Sequence, residues 1–120
     1  MTAALVMLGA VVGAPTRYLV DRAVGRRFDT VFPLGTLMVN VTGSALLGAL
    51  IGAGANHWLL ATVGTGFCGA LTTFSTFGYE TVRLAEEGAY SYAVANVVIG
   101  VAASLAAAYA GAGLGQWVWP

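Results

Sequence analysis

The sequence is poor in charge. It has no lysine, one histidine and one cysteine, and only 8% of its 120 residues are charged. Soluble domains carry about 25% charged residues, so a soluble fold would have too little polar surface. The net charge of zero leaves no basic surface for nucleic acid. One cysteine excludes an intrachain disulfide, and Cys68, His57 and the scattered carboxylates lack metal-ligand spacing.

Long apolar segments take the place of the missing charge. The chain is 58% hydrophobic, and a membrane-spanning helix needs about 20 mostly apolar residues. Four such segments fit, at 3–20, 32–55, 58–79 and 90–113. The first has no positive charge before it, so it is not a convincing cleaved signal peptide. The 120 residues are therefore expected to form a single domain, 1–120, an all-α membrane protein with four transmembrane helices.

The connections between the spans are expected to be short. Segments 21–31 and 80–88 read as charged loops, in the second of which Glu80 and Arg83 could pair three residues apart. The turn at 53–57 holds His57, which reads as a solvated histidine.

Glycine is abundant, with 17 copies. Several glycines are four residues apart, a spacing that lets membrane helices approach closely. These pairs, which predict tightly packed helices, are Gly9 with Gly13, Gly48 with Gly52, and Gly111 with Gly115.

The chain is organised around segment 64–77, in the third span. Its three glycines at Gly64, Gly66 and Gly69 weaken a helix, and four hydroxyls and two phenylalanines follow. A broken, hydroxyl-lined helix at membrane depth is tolerated only where protein buries it or it lines a wet cavity. The third helix is therefore expected to break near its middle, at a functional site. The glycine pattern also matches a dinucleotide-binding fingerprint, but that motif requires a soluble βαβ unit that the sequence does not offer.

Other polar residues within the spans leave alternatives open. Arg17 is either a snorkelling arginine or a residue of a pore mouth. Asn40 is either a hydrogen-bonding link between helices or a ligand donor in a pore. In the fourth span, residues at four-residue steps form a stripe of polar and small side chains on one helix face. This stripe serves either helix packing or the lining of a pore, and its members are Tyr92, Asn96, Gly100 and Ser104.

The run Gly69-Ala70-Leu71-Thr72-Thr73-Phe74-Ser75-Thr76-Phe77, with Glu80 after it, resembles the Fluc/CrcB family of fluoride channels. Segments 13–18, 33–43 and 92–96 are similar to the family in order and spacing, so the resemblance covers essentially the whole chain. One departure is Ala70, where the family often has a second glycine.

The resemblance implies a subunit that forms an antiparallel dimer with two anion pores. It implies pore roles for Asn40, Phe74 and Phe77. It also implies a structural Na⁺ at the dimer interface, held by the backbone carbonyls of Gly69 and Thr72. Hydroxyls can add donors, so the candidate anion pore also includes Ser75 and Thr76. The polar stripe of the fourth span adds Tyr92, Asn96 and Ser104 as candidate pore residues, with Arg17 at the pore mouth.

The expected function is passive export of fluoride across the bacterial plasma (inner) membrane, which reduces fluoride toxicity. No nucleophile–base pair or carboxylate pair appears within the spans, so no enzyme is expected. One alternative is a small proton-coupled multidrug-type transporter, which requires an ionisable residue within a span. Glu80 is expected at a helix end. The other alternative is a non-conducting structural subunit of a heterodimeric channel.

The arginines are distributed unevenly between the two sides of the membrane. Lys and Arg in short loops set the orientation of a membrane protein. With four spans, the loops that hold Arg22, Arg26, Arg27 and Arg83 lie on the same side, and the opposite side has neither arginine nor lysine. This bias predicts one preferred orientation, with both termini outside. It raises the hypothesis of an oppositely oriented homologous partner, with a homodimer left open.

Overall fold

The structure is a computed structural model that describes residues 2–28 and 32–118. All regular structure in these ranges is helical. Helix α1 is Thr2–Arg27 and α2 is Leu34–Gly52. The third span, His57–Glu86, is divided into α3 (57–71) and α4 (Ser75–Glu86), and α5 is Tyr90–Val118. Four spans are long and apolar enough to cross a membrane, as the sequence predicts.

The charged segments are helical where the sequence predicts loops. Helix α1 continues past Pro15 to Arg27, so the prediction of a loop is wrong for residues 21–27. Residues 29–31 of the predicted loop lie outside the described residues. Helix α4 continues to Glu86. Arginine and glutamate are good helix formers, so a helix can extend beyond the apolar part of its span.

The expected ion pair is also different. Arg83 pairs with Glu87, with Nε 3.2 Å from Oε1. Glu80 instead accepts a hydrogen bond from the Thr36 hydroxyl, and it lies inside α4 rather than at a helix end.

The helices associate in two pairs with matching glycines. A glycine four residues further along one helix contacts a residue about four further along the partner helix, so the two helices of each pair run parallel. A Cβ on these glycines would collide with the backbone of the partner helix, which explains why the positions lack side chains. The contacts join Gly9 and Gly13 to α3, Gly48 and Gly52 to Ala108 and Ala112, and Gly111 and Gly115 to Ala45 and Ala49. The predicted close packing is confirmed.

Two of the turns between helices contain a glycine in the left-handed backbone conformation. Gly54, with φ of 70°, lies in the turn after α2, and Gly88, with φ of 81°, lies between α4 and α5. A side chain is strained in this conformation, whereas glycine is not.

Large apolar side chains face outward in this chain. Val39, Leu71 and Leu84 are among its few well-buried large residues, while Val11, Leu19 and Leu105 are more than half exposed. Lipid is as apolar as leucine, so a membrane protein buries small residues between helices and exposes large ones.

Candidate functional site

The third span breaks between Leu71 and Ser75. Thr72 has ψ of 161°, an extended conformation that ends α3. Before the break, residues 60–68 form a π-helix, a form that is rare and often occurs at functional sites. The predicted break near the middle of the third span is present, but it follows Gly64, Gly66 and Gly69, which are themselves helical.

Asn40 of α2 holds this break with both ends of its side-chain amide. Its Oδ1 accepts from the Thr73 backbone N–H at 2.8 Å, and its Nδ2 donates to the Thr73 carbonyl at 3.1 Å. In a continuous helix the Thr73 N–H would bond to the Gly69 carbonyl. The Asn40–Thr73 clamp replaces that bond, and the second N–H of Nδ2 remains for another acceptor.

The Thr73 side chain starts the next helix. Its hydroxyl accepts from the Thr76 backbone N–H at 3.1 Å, as a capping side chain does at a helix N-terminus. The Ser75 hydroxyl lies 3.4 Å from the same oxygen. Thr73 therefore joins α2, the break and α4, a role that the sequence interpretation missed.

The break leaves backbone carbonyls without their helical partners. Neither the Gly69 nor the Thr72 carbonyl accepts a hydrogen bond from any residue that the structure describes. A Cβ at Gly69 would meet no atom within 4 Å, so this part of α3 is open. Exposed carbonyls of an interrupted helix are the donor type that suits Na⁺, and these two residues supply that type of donor.

A cavity of about 480 Å³ lies beside the break. It brings together six of the predicted site residues, drawn from α2, the broken span and α5. They are Asn40, Gly69, Thr72, Phe74, Phe77 and Ser104. The remaining lining includes Ser44, one helical turn from Asn40, a four-residue spacing that could have revealed it.

The two phenylalanines lie together at the cavity. Their ring centroids are 6.2 Å apart and the rings are tilted by 42°. Phe74 is 85% exposed in the single chain. An aromatic ring has a positive edge and a negative face, so a ring edge can attract an anion without carrying a formal charge.

The other predicted residues lie elsewhere. Arg17 and Thr76 line a separate cavity of about 180 Å³ together with Asp21 and Thr36. Tyr92 is 45% exposed and is not among the residues that line either cavity. Roles for these residues in an anion path stay predictions.

Asn96 is buried in a contact between helices. It is 2% exposed, and its Nδ2 donates to the Thr81 hydroxyl at 2.8 Å. Thr81 in turn donates to the Phe77 carbonyl at 2.8 Å. In this chain Asn96 therefore links α5 to α4, and its proposed contact with an anion stays a prediction.

Fold and site together define a small multi-pass membrane protein with a mostly apolar, ring-lined cavity that holds a few polar side chains at a broken span. Residues 4–112 match the CrcB-like protein family, Camphor Resistance (CrcB). The chain belongs to this family, and it is a multi-pass protein of the bacterial plasma membrane.

Curated relatives agree over most of their length. The chain is 67% identical to "Fluoride-specific ion channel FluC 1" of Nocardia farcinica, over 98% of this chain and 82% of that protein. It is 55% identical to the Streptomyces avermitilis protein of the same name, over 96% of both. It is 44% identical to "Fluoride-specific ion channel FluC" of Vibrio cholerae, over 88% of both.

The Asn40–Thr73 clamp predicts a stability effect. Asn40→Ala leaves the Thr73 N–H and carbonyl unpaired, which costs about 1–3 kcal/mol per buried group. We expect a lower thermal unfolding midpoint for the purified protein in detergent. Thr42→Ala, on an exposed position of the same helix, is the control and should leave the midpoint unchanged. Equal midpoints for both variants would contradict the clamp.

Proposed function

We propose that this chain is a subunit of a fluoride-selective channel that exports fluoride passively and so limits its toxicity in the cytoplasm. The observation that carries the proposal is the cavity that joins the Asn40 amide to the rings of Phe74 and Phe77 beside a broken span. Family membership and the names of the relatives support the same activity.

The chemistry of the cavity suits a small, strongly hydrated anion. Ring edges and amide or hydroxyl donors can replace part of its water shell. Among the residues that the structure describes, no arginine lines this cavity. A formal positive charge would hold the anion too firmly, because conduction needs weak and multiple sites. A narrow path with few donors favours fluoride over larger halides.

The open side of the cavity supports a dimer. Irregular backbone at membrane depth must be buried in protein or line a wet cavity. In the single chain Gly69 and Phe74 are exposed at the break, so lipid would contact it. A second channel subunit in antiparallel orientation would cover the break and complete the path.

The same arrangement supports a structural Na⁺ at the dimer interface. The Gly69 and Thr72 carbonyls would hold it, because the break frees both from helical hydrogen bonds. When bound, the ion would supply a positive charge that offsets the carbonyl dipoles.

The alternatives make different predictions. Glu80 lies within the third span and is half-buried, so the sequence argument that placed it at a helix end does not exclude a proton-coupled transporter. A transporter would drive uphill flux in a proton gradient, whereas a channel would not. A non-conducting subunit would not need Asn40, Phe74 and Phe77 together at one cavity.

Phenylalanine substitutions test the anion path. Phe74→Ile or Phe77→Ile keeps an apolar side chain but removes the ring edge. We expect fluoride efflux from liposomes to fall roughly tenfold or more, which corresponds to a barrier increase of about 1.4 kcal/mol. Phe28→Ile, outside the cavity, is the matched control. Normal efflux by both single variants, with intact dimers, would refute the ring-edge path.

Glycine substitutions test the sodium site. Gly69→Leu meets open space within the subunit, so it should leave the monomer folded but obstruct the partner and the ion. Gly78→Leu, also in open space, is the control, and Thr72→Ser keeps the carbonyl and should be mild. We expect weaker dimerisation for Gly69→Leu, and for the wild type when Na⁺ is replaced by a large organic cation. Unchanged dimerisation and flux, both in Gly69→Leu and after Na⁺ replacement, would contradict the proposed sodium site.

The arginine bias favours a partner of opposite orientation. Arg22, Arg26 and Arg27 belong to the last part of α1, and Arg83 is near the end of α4. The opposite side holds the turn after α2. Because basic residues near the span ends set orientation, this chain is expected to insert with the arginines cytoplasmic. An antiparallel dimer then requires an oppositely biased homologous subunit, unless packing against an inserted copy overrides the bias and gives a homodimer.

Cysteine accessibility tests the orientation. In a Cys68→Ala background, His57→Cys and Glu86→Cys report opposite sides, and neither changes an arginine. We expect impermeant reagents to label position 57 only from outside and position 86 only from inside. Flux that requires a second subunit would support the heterodimer. Labelling of each position from both sides would refute it.

A further inference from the structure

The Phe77 ring packs directly against a position on α5 that has no side chain. An ideal Cβ built at Gly100 would lie 2.9 Å from Phe77 Cε1 and 3.6 Å from Cδ1 and Cζ. Real Cβ atoms essentially never approach a carbon atom to less than 3.0 Å. Gly100 and Phe77 also line the same cavity as Phe74. The space that a methyl group would fill at Gly100 is therefore occupied by the ring.

The helix that carries Gly100 is held at a fixed distance. One turn away, Asn96 of α5 donates to Thr81 of α4 at 2.8 Å. Thr81 is one turn after Phe77, and Asn96 is one turn before Gly100. The Asn96–Thr81 and Gly100–Phe77 contacts therefore lie one helical turn apart along the interface between the antiparallel helices α4 and α5. The Asn96–Thr81 hydrogen bond is partly buried, with Asn96 only 2% exposed, so a retreat of α5 from the ring would break a bond that water does not readily replace.

A side chain at position 100 would therefore displace the ring rather than the helix. A phenylalanine ring is the far end of a flexible side chain and moves more easily than backbone. The cavity is the open space beside it, and the Phe74 ring, whose centroid is 6.2 Å from that of Phe77, contacts the Phe77 ring and lines the same cavity.

We propose that Gly100 is a positioning residue for fluoride conduction: its missing side chain sets the place of the Phe77 ring and so the shape of the cavity that Phe77 and Phe74 line. This inference rests on the anion path proposed above. Gly100 does not need to touch the ion, since it acts through the ring.

The test compares two alanine substitutions in one helix. Gly100→Ala adds the methyl group that meets the ring, and Gly113→Ala adds one where no atom lies within 4 Å. Alanine favours a helix over glycine at both positions. We expect fluoride efflux to fall about tenfold for Gly100→Ala, with a changed half-saturating fluoride concentration. Gly113→Ala should conduct like the wild type.

A second pair of variants identifies the ring as the cause. Gly100→Ala should lower the thermal midpoint relative to wild type, but the same change in a Phe77→Leu background should not lower it below that of Phe77→Leu alone. This comparison holds even if Gly100→Ala fails to assemble, because the double variant should then recover assembly. An equal loss in both backgrounds would overturn the proposal, as would wild-type flux and stability in Gly100→Ala.

The outcomes separate this inference from the anion path. Reduced flux in Phe77→Ile with normal flux and saturation in Gly100→Ala would refute the role of Gly100 and leave the path intact. Normal flux in Phe74→Ile and Phe77→Ile would refute the path itself.

Discussion

Two hydrogen bonds between Asn40 and the backbone of Thr73 hold the third span open. They give the N–H and the carbonyl of Thr73, at membrane depth, the partners that a continuous helix would have supplied. An unpaired peptide group in an apolar environment costs several kcal/mol, so the break can exist only with such a substitute. The Gly69 carbonyl loses its helical donor through the same exchange, and the Thr73 hydroxyl starts α4. The geometry of the cavity therefore depends on one side chain of a neighbouring helix.

The clamp requires that α2 and the broken span be placed accurately. Small residues provide this placement, because helix pairs whose backbones touch have little freedom to shift. Gly48 and Gly111 allow α2 and α5 to contact each other, and Gly9 and Gly13 do the same for α1 and α3. Across the remaining gap, Asn96 bonds to Thr81. Apolar burial contributes little here, because lipid solvates the large side chains that cover the outside.

The same polar residues have different tasks once the helices are assembled. Asn40 is both a link between helices and a cavity residue, so the two interpretations of its sequence position are compatible. Asn96 has the sequence position of a lining residue but is enclosed between helices. Glu80, which follows the central motif, bonds to Thr36 rather than to the nearby Arg83. Spacing along one helix cannot distinguish these cases, because it does not specify which neighbouring helix faces the residue.

The sequence by itself determined the four spans, the break in the third and the close glycine contacts. The spans and the glycine contacts follow from local chemistry: apolar length and small residues at four-residue spacing. The three glycines indicated a break in the third span, but Gly64, Gly66 and Gly69 are themselves helical and the break follows them. The resemblance to a known family also identified the residues of the cavity in outline. It did not give the ends of α1 and α4, because charged residues favour helix as well as loop. Only the tertiary structure decided that Asn40 clamps Thr73, that Gly100 faces the Phe77 ring and that Asn96 is enclosed. Each of these contacts joins residues distant in sequence, and their meeting depends on how the helices pack.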